Sequence, residues 1–277
     1  MSGLISSGTR SLHFDDMTPE QYEQFKVDTL NETVGNRNKD DGYICHECKN
    51  KGYIAKLEMR NGRYYQVLSD CKCIPVRNTI MKMIRSGLRD VISECTFDKW
   101  EATEDWQRSV KAAAIEYAKN PKGWFFIGGQ PGCGKTHLCT AICRELLLEG
   151  KNLKYMQWRE DAAKLKGNTN DTERREKLTN EFKTVKALYI DDLFKTGKNQ
   201  DGSVQRPTSA DINLAFEILN YRYNKPDSIT IISSELTAEA LLDIDEAIGS
   251  RICERSKPLN ISRNIARNYR LRNQITL

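Results

Sequence analysis

No stretch of this sequence reaches the roughly 18 consecutive apolar residues that a bilayer-crossing helix needs, so no transmembrane span is expected. The opening residues, MSGLISSGTRSLHFDD, lack the basic-then-apolar order of a secretory signal. Charge of one sign is scarce as well. Lysines and arginines number 43 against 38 acidic residues, a net charge of +5 over 277 residues. That balance permits a nucleic-acid partner without requiring one. Internal repeats and long low-complexity tracts are missing. A cytoplasmic chain of one large domain or two smaller ones is expected, with ample length for a core. In a reducing compartment its nine cysteines should be thiols or metal ligands rather than disulfides.

What is there in full is a phosphate-binding pattern. The apolar run Trp124 to Ile127 reads as a buried strand, and an amphipathic helix opens near Lys135. Between them lies Gly129-Gln130-Pro131-Gly132-Cys133-Gly134-Lys135-Thr136, a P-loop followed by His137. Gly129, Gly132 and Gly134 let backbone N–H groups approach phosphate oxygens, and the helix N-terminus adds partial positive charge there. Lys135 is expected on the β- and γ-phosphates and Thr136 on Mg²⁺. Downstream, Ala187 to Asp192 reads as an apolar strand ending in two carboxylates, the Walker B pattern. Asp191 is expected to hold Mg²⁺ through water, and Asp192 to orient or deprotonate the attacking water.

A second constellation lies upstream. Cys45-x-x-Cys48 and Cys71-x-Cys73 bracket two β-prone runs joined by Asn61-Gly62, a strong hairpin signal. Paired cysteines around a hairpin make a zinc-ribbon pattern of structural type, because four thiolates leave no open position. His46 beside the knuckle offers a substitute ligand, and an iron–sulfur cluster or free thiols would use the same residues. Thr18-Pro19-Glu20 marks the start of a short helix to about Leu30, within an arm that reads as a flexible tail or a partner-binding element. Residues 76–93 read as a linking helix. Cys95, Cys133, Cys139, Cys143 and Cys253 read as packed thiols.

From about Thr96 the pattern alternates strand and helix. Helix 103–119 precedes the P-loop strand, a strand covers 153–158, and RREKLTNEFKTVK forms a charged helix. After Walker B come a polar loop with Lys195, Lys198 and Arg206, the helix SADINLAFEILNYRYN and the strand SITIISSE. The helix LLDIDEAIGSRICERS, the short strand PLNIS and a basic end complete the chain. Five parallel strands with intervening helices predict a three-layer α/β domain over 96–277, preceded by a zinc-ribbon-like module within 1–95.

The succession GGQPGCGKTH, LYIDDLF, TIISSE, GSRICER and NYR resembles the DnaC/DnaI/IstB group of AAA+ ATPases, which comprises replicative-helicase loaders and a transposition ATPase. TFDKW, residues 96–100, is similar to the segment before the P-loop in that group. The resemblance implies a sensor at Ser234 or Glu235, where the group usually has Asn at the second position. It also implies an arginine finger at Arg255, a second sensor arginine at Arg270 and a reduced C-terminal lid in the AAA+ fold. The function implied is ATP-dependent loading of a hexameric DnaB-type helicase onto single-stranded DNA by a ring or spiral of subunits. The N-terminal module would hold the helicase, and Lys195 and Lys198 would contact DNA. An IstB-like ATPase assisting a transposase is the alternative. A small-molecule P-loop kinase and a zinc adaptor without nucleotide chemistry are the readings from other classes.

Overall fold

The computed structural model describes residues 17–83, 95–167, 172–197 and 205–271. Packing divides the chain into two units between Arg77 and Asn78, ahead of the 95/96 boundary expected from sequence.

In the first unit, α1 (Pro19–Glu32) starts where expected. Thr18 Oγ1 accepts the Gln21 N–H while Gln21 Oε1 accepts the Thr18 N–H, a capping box with proline at the first helical position. Its last carbonyls are met by a buried lysine: Lys51 Nζ donates to Leu30 O at 2.5 Å and Thr33 O at 3.0 Å. A four-residue helix, α2 (Asn38–Asp41), follows and ends at Gly42 with φ 68°. The hairpin forms as read. β1 (Tyr53–Arg60) pairs antiparallel with β2 (Arg63–Asp70), and Arg60 faces Arg63 across the turn. Asn61 at φ 50° and Gly62 at φ 74° supply the left-handed pair that a two-residue turn needs. The Asn31 side chain bonds both the N–H and the C=O of Ala55, which closes off part of the outer edge of β1. α3 runs over Cys73–Met83, starting three residues ahead of the helix expected at 76–93, whose remainder lies outside the described residues.

The second unit carries one five-stranded, all-parallel sheet. Its strands are β3 (Trp124–Gly129), β4 (Leu153–Gln157), β5 (Ala187–Leu193), β6 (Ile229–Ser234) and β7 (Leu259–Ile261), in the spatial order β4-β5-β6-β3-β7. The helices are α4 (Asp105–Lys119), α5 (Lys135–Leu148), α6 (Trp158–Gly167), α7 (Thr172–Thr184), α8 (Ser209–Tyr223), α9 (Ala238–Ile244) and α10 (Glu246–Arg255). Alternate residues of each strand face opposite sides. Trp124, Phe126, Met156, Leu188, Ile190 and Ile232 build one core with residues of α6 to α10. The other side is covered by α5, which packs on β4, β5 and β6 and in turn carries α4. The result is the predicted three-layer α/β arrangement.

Two departures from the sequence reading bear on the site. α6 was not anticipated; it opens directly from the end of β4, where Asp161 Oδ2 accepts the Gln157 N–H at 2.9 Å. The single helix expected through LLDIDEAIGSRICERS is two, and Asp245 is the break. Extended at φ −156°, it ends α9 and begins α10, its Oδ1 accepting the Ile248 N–H at 2.8 Å.

Candidate functional site

The P-loop wraps the start of α5 at the C-terminal end of the sheet. Gly129, Gly132 and Gly134 have φ of 112°, 76° and 90°, a region that other residues enter only at a cost of about 1–2 kcal/mol. A Cβ at each would also strike a neighbour: the Ile261 carbonyl, the Asn268 side chain and the Trp100 ring respectively. Lys135 is nearly buried, and its Nζ donates to the carbonyls of Gly129 and Gln130, both at 2.8 Å. Cys133 is fully buried and donates its thiol to Gln130 O at 2.9 Å, and burial pushes its pKa up. His137 Nε2 donates to Thr96 O at 2.9 Å, and its ring meets Trp100 edge-on at 5.6 Å.

The Walker B carboxylates sit across from the loop. Asp191 Oδ1 lies 3.3 Å from Thr136 Oγ1 and accepts from Tyr189 OH at 2.6 Å and Ser233 Oγ at 2.7 Å. Tyr155 OH donates to its other oxygen at 3.0 Å. Burial pushes the Asp191 carboxyl above the usual carboxylate range and the charge of Asp192 adds to this, while the hydroxyl donors pull the other way. Between Ile190 and Leu193 the pairing of β5 with β6 is irregular, and Asp192 stands at φ 56°. This break in register re-aims Asp192, as bulges beside functional sites do. Ser233 Oγ accepts the Asp192 N–H at 3.0 Å.

A cavity of about 370 Å³ opens here, lined among others by Trp100, Gly132, Gly134, Lys135, Thr136 and Asp192. Arg270 lines it too. It arrives on a strap after β7 rather than on a helical lid. Gln130 N–H reaches Ile261 O at 3.3 Å, Asn264 N–H reaches Gln130 Oε1 at 2.5 Å, and Tyr269 N–H reaches Gly132 O at 2.9 Å. Gln107 on α4 also bonds the Tyr269 hydroxyl. The buried Trp100 Nε1, beside the loop, has no protein partner among the described residues. The glycine cradle, a lysine held only by loop carbonyls and a hydroxyl–carboxylate pair fit a nucleotide phosphate chain with Mg²⁺.

The structure redistributes some of the expected roles. The hydroxyl that reaches both Walker B residues belongs to Ser233. Ser234, one residue on and facing the opposite way, donates to Leu193 O at 2.8 Å and accepts the Leu236 N–H at 3.1 Å. Glu235 lines the cavity, where it pairs with Lys195 at 3.1 Å; Lys195 also pairs with Asp192 at 2.6 Å. Lys195 therefore lines this cavity, and Lys198 lies outside the described residues. Arg255 is not among the residues lining its own cavity. It stacks on the Tyr223 ring at 4.6 Å, donates to Tyr223 O at 2.5 Å and keeps a buried Nε with no hydrogen-bond partner among the described residues. Arg251 stacks on the other flank of that patch, over Phe216 and Tyr223. Ser233, Tyr155 and Tyr189 carried no signal beyond being polar or aromatic residues at strand positions.

In the first unit the four sulfurs of Cys45, Cys48, Cys71 and Cys73 lie within 4.8 Å of one another, all buried. Cys45–Cys71 and Cys48–Cys73 are 3.8 and 3.6 Å apart. A tetrahedral ion with metal–sulfur bonds of about 2.3 Å spaces its sulfurs at about 3.8 Å, so the set fits one ion. Burial opposes thiolate formation at Cys48, but the Gly52 N–H at 3.2 Å and the neighbouring sulfurs pull its pKa down to about 7. Arg77 Nε donates to Cys73 Sγ at 3.4 Å while its guanidinium is locked on Asp41 at 2.6 Å, the outer-shell support that metal thiolates receive. The exposed His46 is not part of this cluster.

Comparison with known proteins places this geometry in a family. The family model described as "IstB-like ATP binding protein" matches residues 76–275. XkdC of the phage-like element PBSX of Bacillus subtilis is 32% identical over 222 residues, covering 76% of this chain and 79% of XkdC. YqaM of the same organism is 33% identical over 194 residues, covering 66% of this chain, which spans only 59% of YqaM. The replicative helicase loader DnaC of Escherichia coli K12 is 26% identical over 188 residues, covering 65% of this chain and 71% of DnaC. Among solved structures, DnaI shares the fold, with a TM-score of 0.52 at 20% identity over 62% of this chain and 93% of that one. The phosphate cradle, the five-stranded sheet in this strand order and these matches together make the chain a member of the IstB-like ATP binding protein family, on an AAA+ fold.

Proposed function

We propose that this chain is an ATP-driven loader of a hexameric replicative helicase onto single-stranded DNA. The observation that carries the reading is the Thr136–Asp191–Asp192 constellation opposite Lys135, supported by relatives named as helicase loaders. In this reading Lys135 leaves the two loop carbonyls for β- and γ-phosphate oxygens. Thr136 and Asp191 hold Mg²⁺, which would neutralise charge on the transferred phosphoryl group. Asp192 orients the attacking water, Arg270 senses the bound nucleotide, and Arg255 completes the site of a neighbouring subunit in a ring or spiral. The four cysteines hold one structural Zn²⁺, and the module they staple engages the helicase.

The family description favours a second reading, an IstB-like ATPase that assists a transposase. Affinity capture of the tagged full-length chain from its host lysate, with ATP present, separates the two. A hexameric helicase among the captured proteins supports the loader, and a transposase in its place supports the second reading. ATP turnover by a strict monomer, indifferent to single-stranded DNA, would count against both.

A further inference from the structure

Beyond the roles assigned above, the segment after β5 is built in unusual detail. Asp192 at φ 56° and Phe194 at φ 60° are both left-handed, and the Lys195 N–H closes the turn on Asp192 O at 2.9 Å. Phe194 anchors this turn; it is buried and meets Trp158 edge-on at 5.4 Å. The neighbouring turn after β6 is tied to it at two further points, Ser233 Oγ to the Asp192 N–H and Ser234 Oγ to Leu193 O. With the backbone fixed from both sides, the remaining freedom of Asp192 is rotation of its carboxylate. Lys195 Nζ sits on that carboxylate at 2.6 Å and is itself held by Glu235 at 3.1 Å. Two carboxylates, Asp192 and Glu235, thus line a cavity suited to a polyanion, and one ammonium touches both.

We propose that Lys195 is a positioning residue for ATP hydrolysis: it holds the Asp192 carboxylate on the attacking water, and Glu235 anchors Lys195 instead of sensing phosphate directly. The proposal rests on the reading that the site hydrolyses ATP. Without the ammonium, Asp192 and Glu235 repel each other and the nucleotide phosphates, so the Asp192 carboxylate turns away from the water.

The test uses the full-length chain, with steady-state ATP turnover, ADP affinity by titration and thermal melting for each variant. Lys195→Met is expected to lower kcat by about tenfold or more, as loss of base orientation does, with ADP affinity within about threefold of wild type. Adding Glu235→Gln to Lys195→Met removes the uncompensated charge and is expected to restore kcat by about threefold or more. Wild-type turnover by Lys195→Met overturns the proposal. So does parallel loss of ADP affinity and melting temperature, which marks a merely structural lysine, or a double variant no faster than Lys195→Met. A wild-type chain that turns over no ATP, with or without single-stranded DNA, overturns the hydrolysis reading and this proposal together.

Discussion

At the scale of single residues, the two carboxylates at the end of β5 stand in different surroundings. Asp191 is almost buried under three hydroxyls, whereas Asp192 stands at the cavity wall. Lys135→Ala is therefore expected to abolish ATP binding, while Asp192→Asn binds ATP and stops turnover; equal ATP affinity in wild type and Lys135→Ala would sink the assignment. Asp191 also carries a stability cost. Its pKa is raised on folding by burial first and the Asp192 charge second. Just above the unfolded-state pKa the folded chain thus binds more protons than the unfolded one. Stability falls as pH climbs through that window, and the penalty persists at neutral pH. Without Mg²⁺ or nucleotide, Asp191→Asn should therefore melt higher than wild type at pH 7, by roughly 2–4 °C per kcal/mol regained. A lower melting temperature would mean that the hydroxyl bonds outweigh desolvation. The P-loop and the Walker pair were legible in sequence because phosphate chemistry demands fixed residue types at fixed spacing. Ser233 and Tyr155 were not, because they come from two other strands and only the sheet order brings them beside Asp191.

At the scale of elements, sequence periodicity carried all five strands of the AAA+ sheet and most of the helices, but not where one helix became two. Apolar residues continue at helical spacing through Asp245, so nothing in the pattern marks the turn between α9 and α10. The break is fixed by capping and by close approach. A Cβ on Gly249 would crowd the backbone of Leu242, so the two helices cross tightly just there. Asp245→Ala removes the cap from α10 and is expected to cost about 1 kcal/mol in urea unfolding. Because α10 carries Arg251 and Arg255, the variant should also weaken any activity that depends on assembly. An unchanged unfolding midpoint would show that packing alone holds the corner. α6 escaped notice for a related reason: it follows β4 without a turn, and a strand–helix junction with no loop leaves no punctuation in the sequence.

At the scale of the molecule, the two units rest on different physics. The first has a small core and depends on its cysteine cluster. A Cys45→Ser/Cys48→Ser chain should lose one Zn²⁺ per chain by metal analysis. Amide protection of the hairpin should vanish while that of β3 and β6 persists. Retention of stoichiometric metal would refute the ligand set. If Arg255 completes a neighbour's site as proposed, Arg255→Ala should bind ATP yet lose turnover. Mixing it with Asp192→Asn should partly restore activity, since some interfaces then join an intact arginine to an intact carboxylate. No recovery at any ratio would assign Arg255 to its own subunit. The strand order has a further consequence, for the chain as it is made. β3 carries the phosphate loop, yet both of its sheet neighbours, β6 and β7, are synthesised long after it. The strap that bonds Gln130 and Gly132 comes later still. A ribosome making about 5–20 residues per second must run on the order of ten seconds past the loop before that strand gains a partner. Until β7 and the strap follow, Gly129 and Gly132 lack the Ile261 and Asn268 groups packed against them. The phosphate cradle is therefore incomplete until the strap through Tyr269 has been made, long after the loop itself.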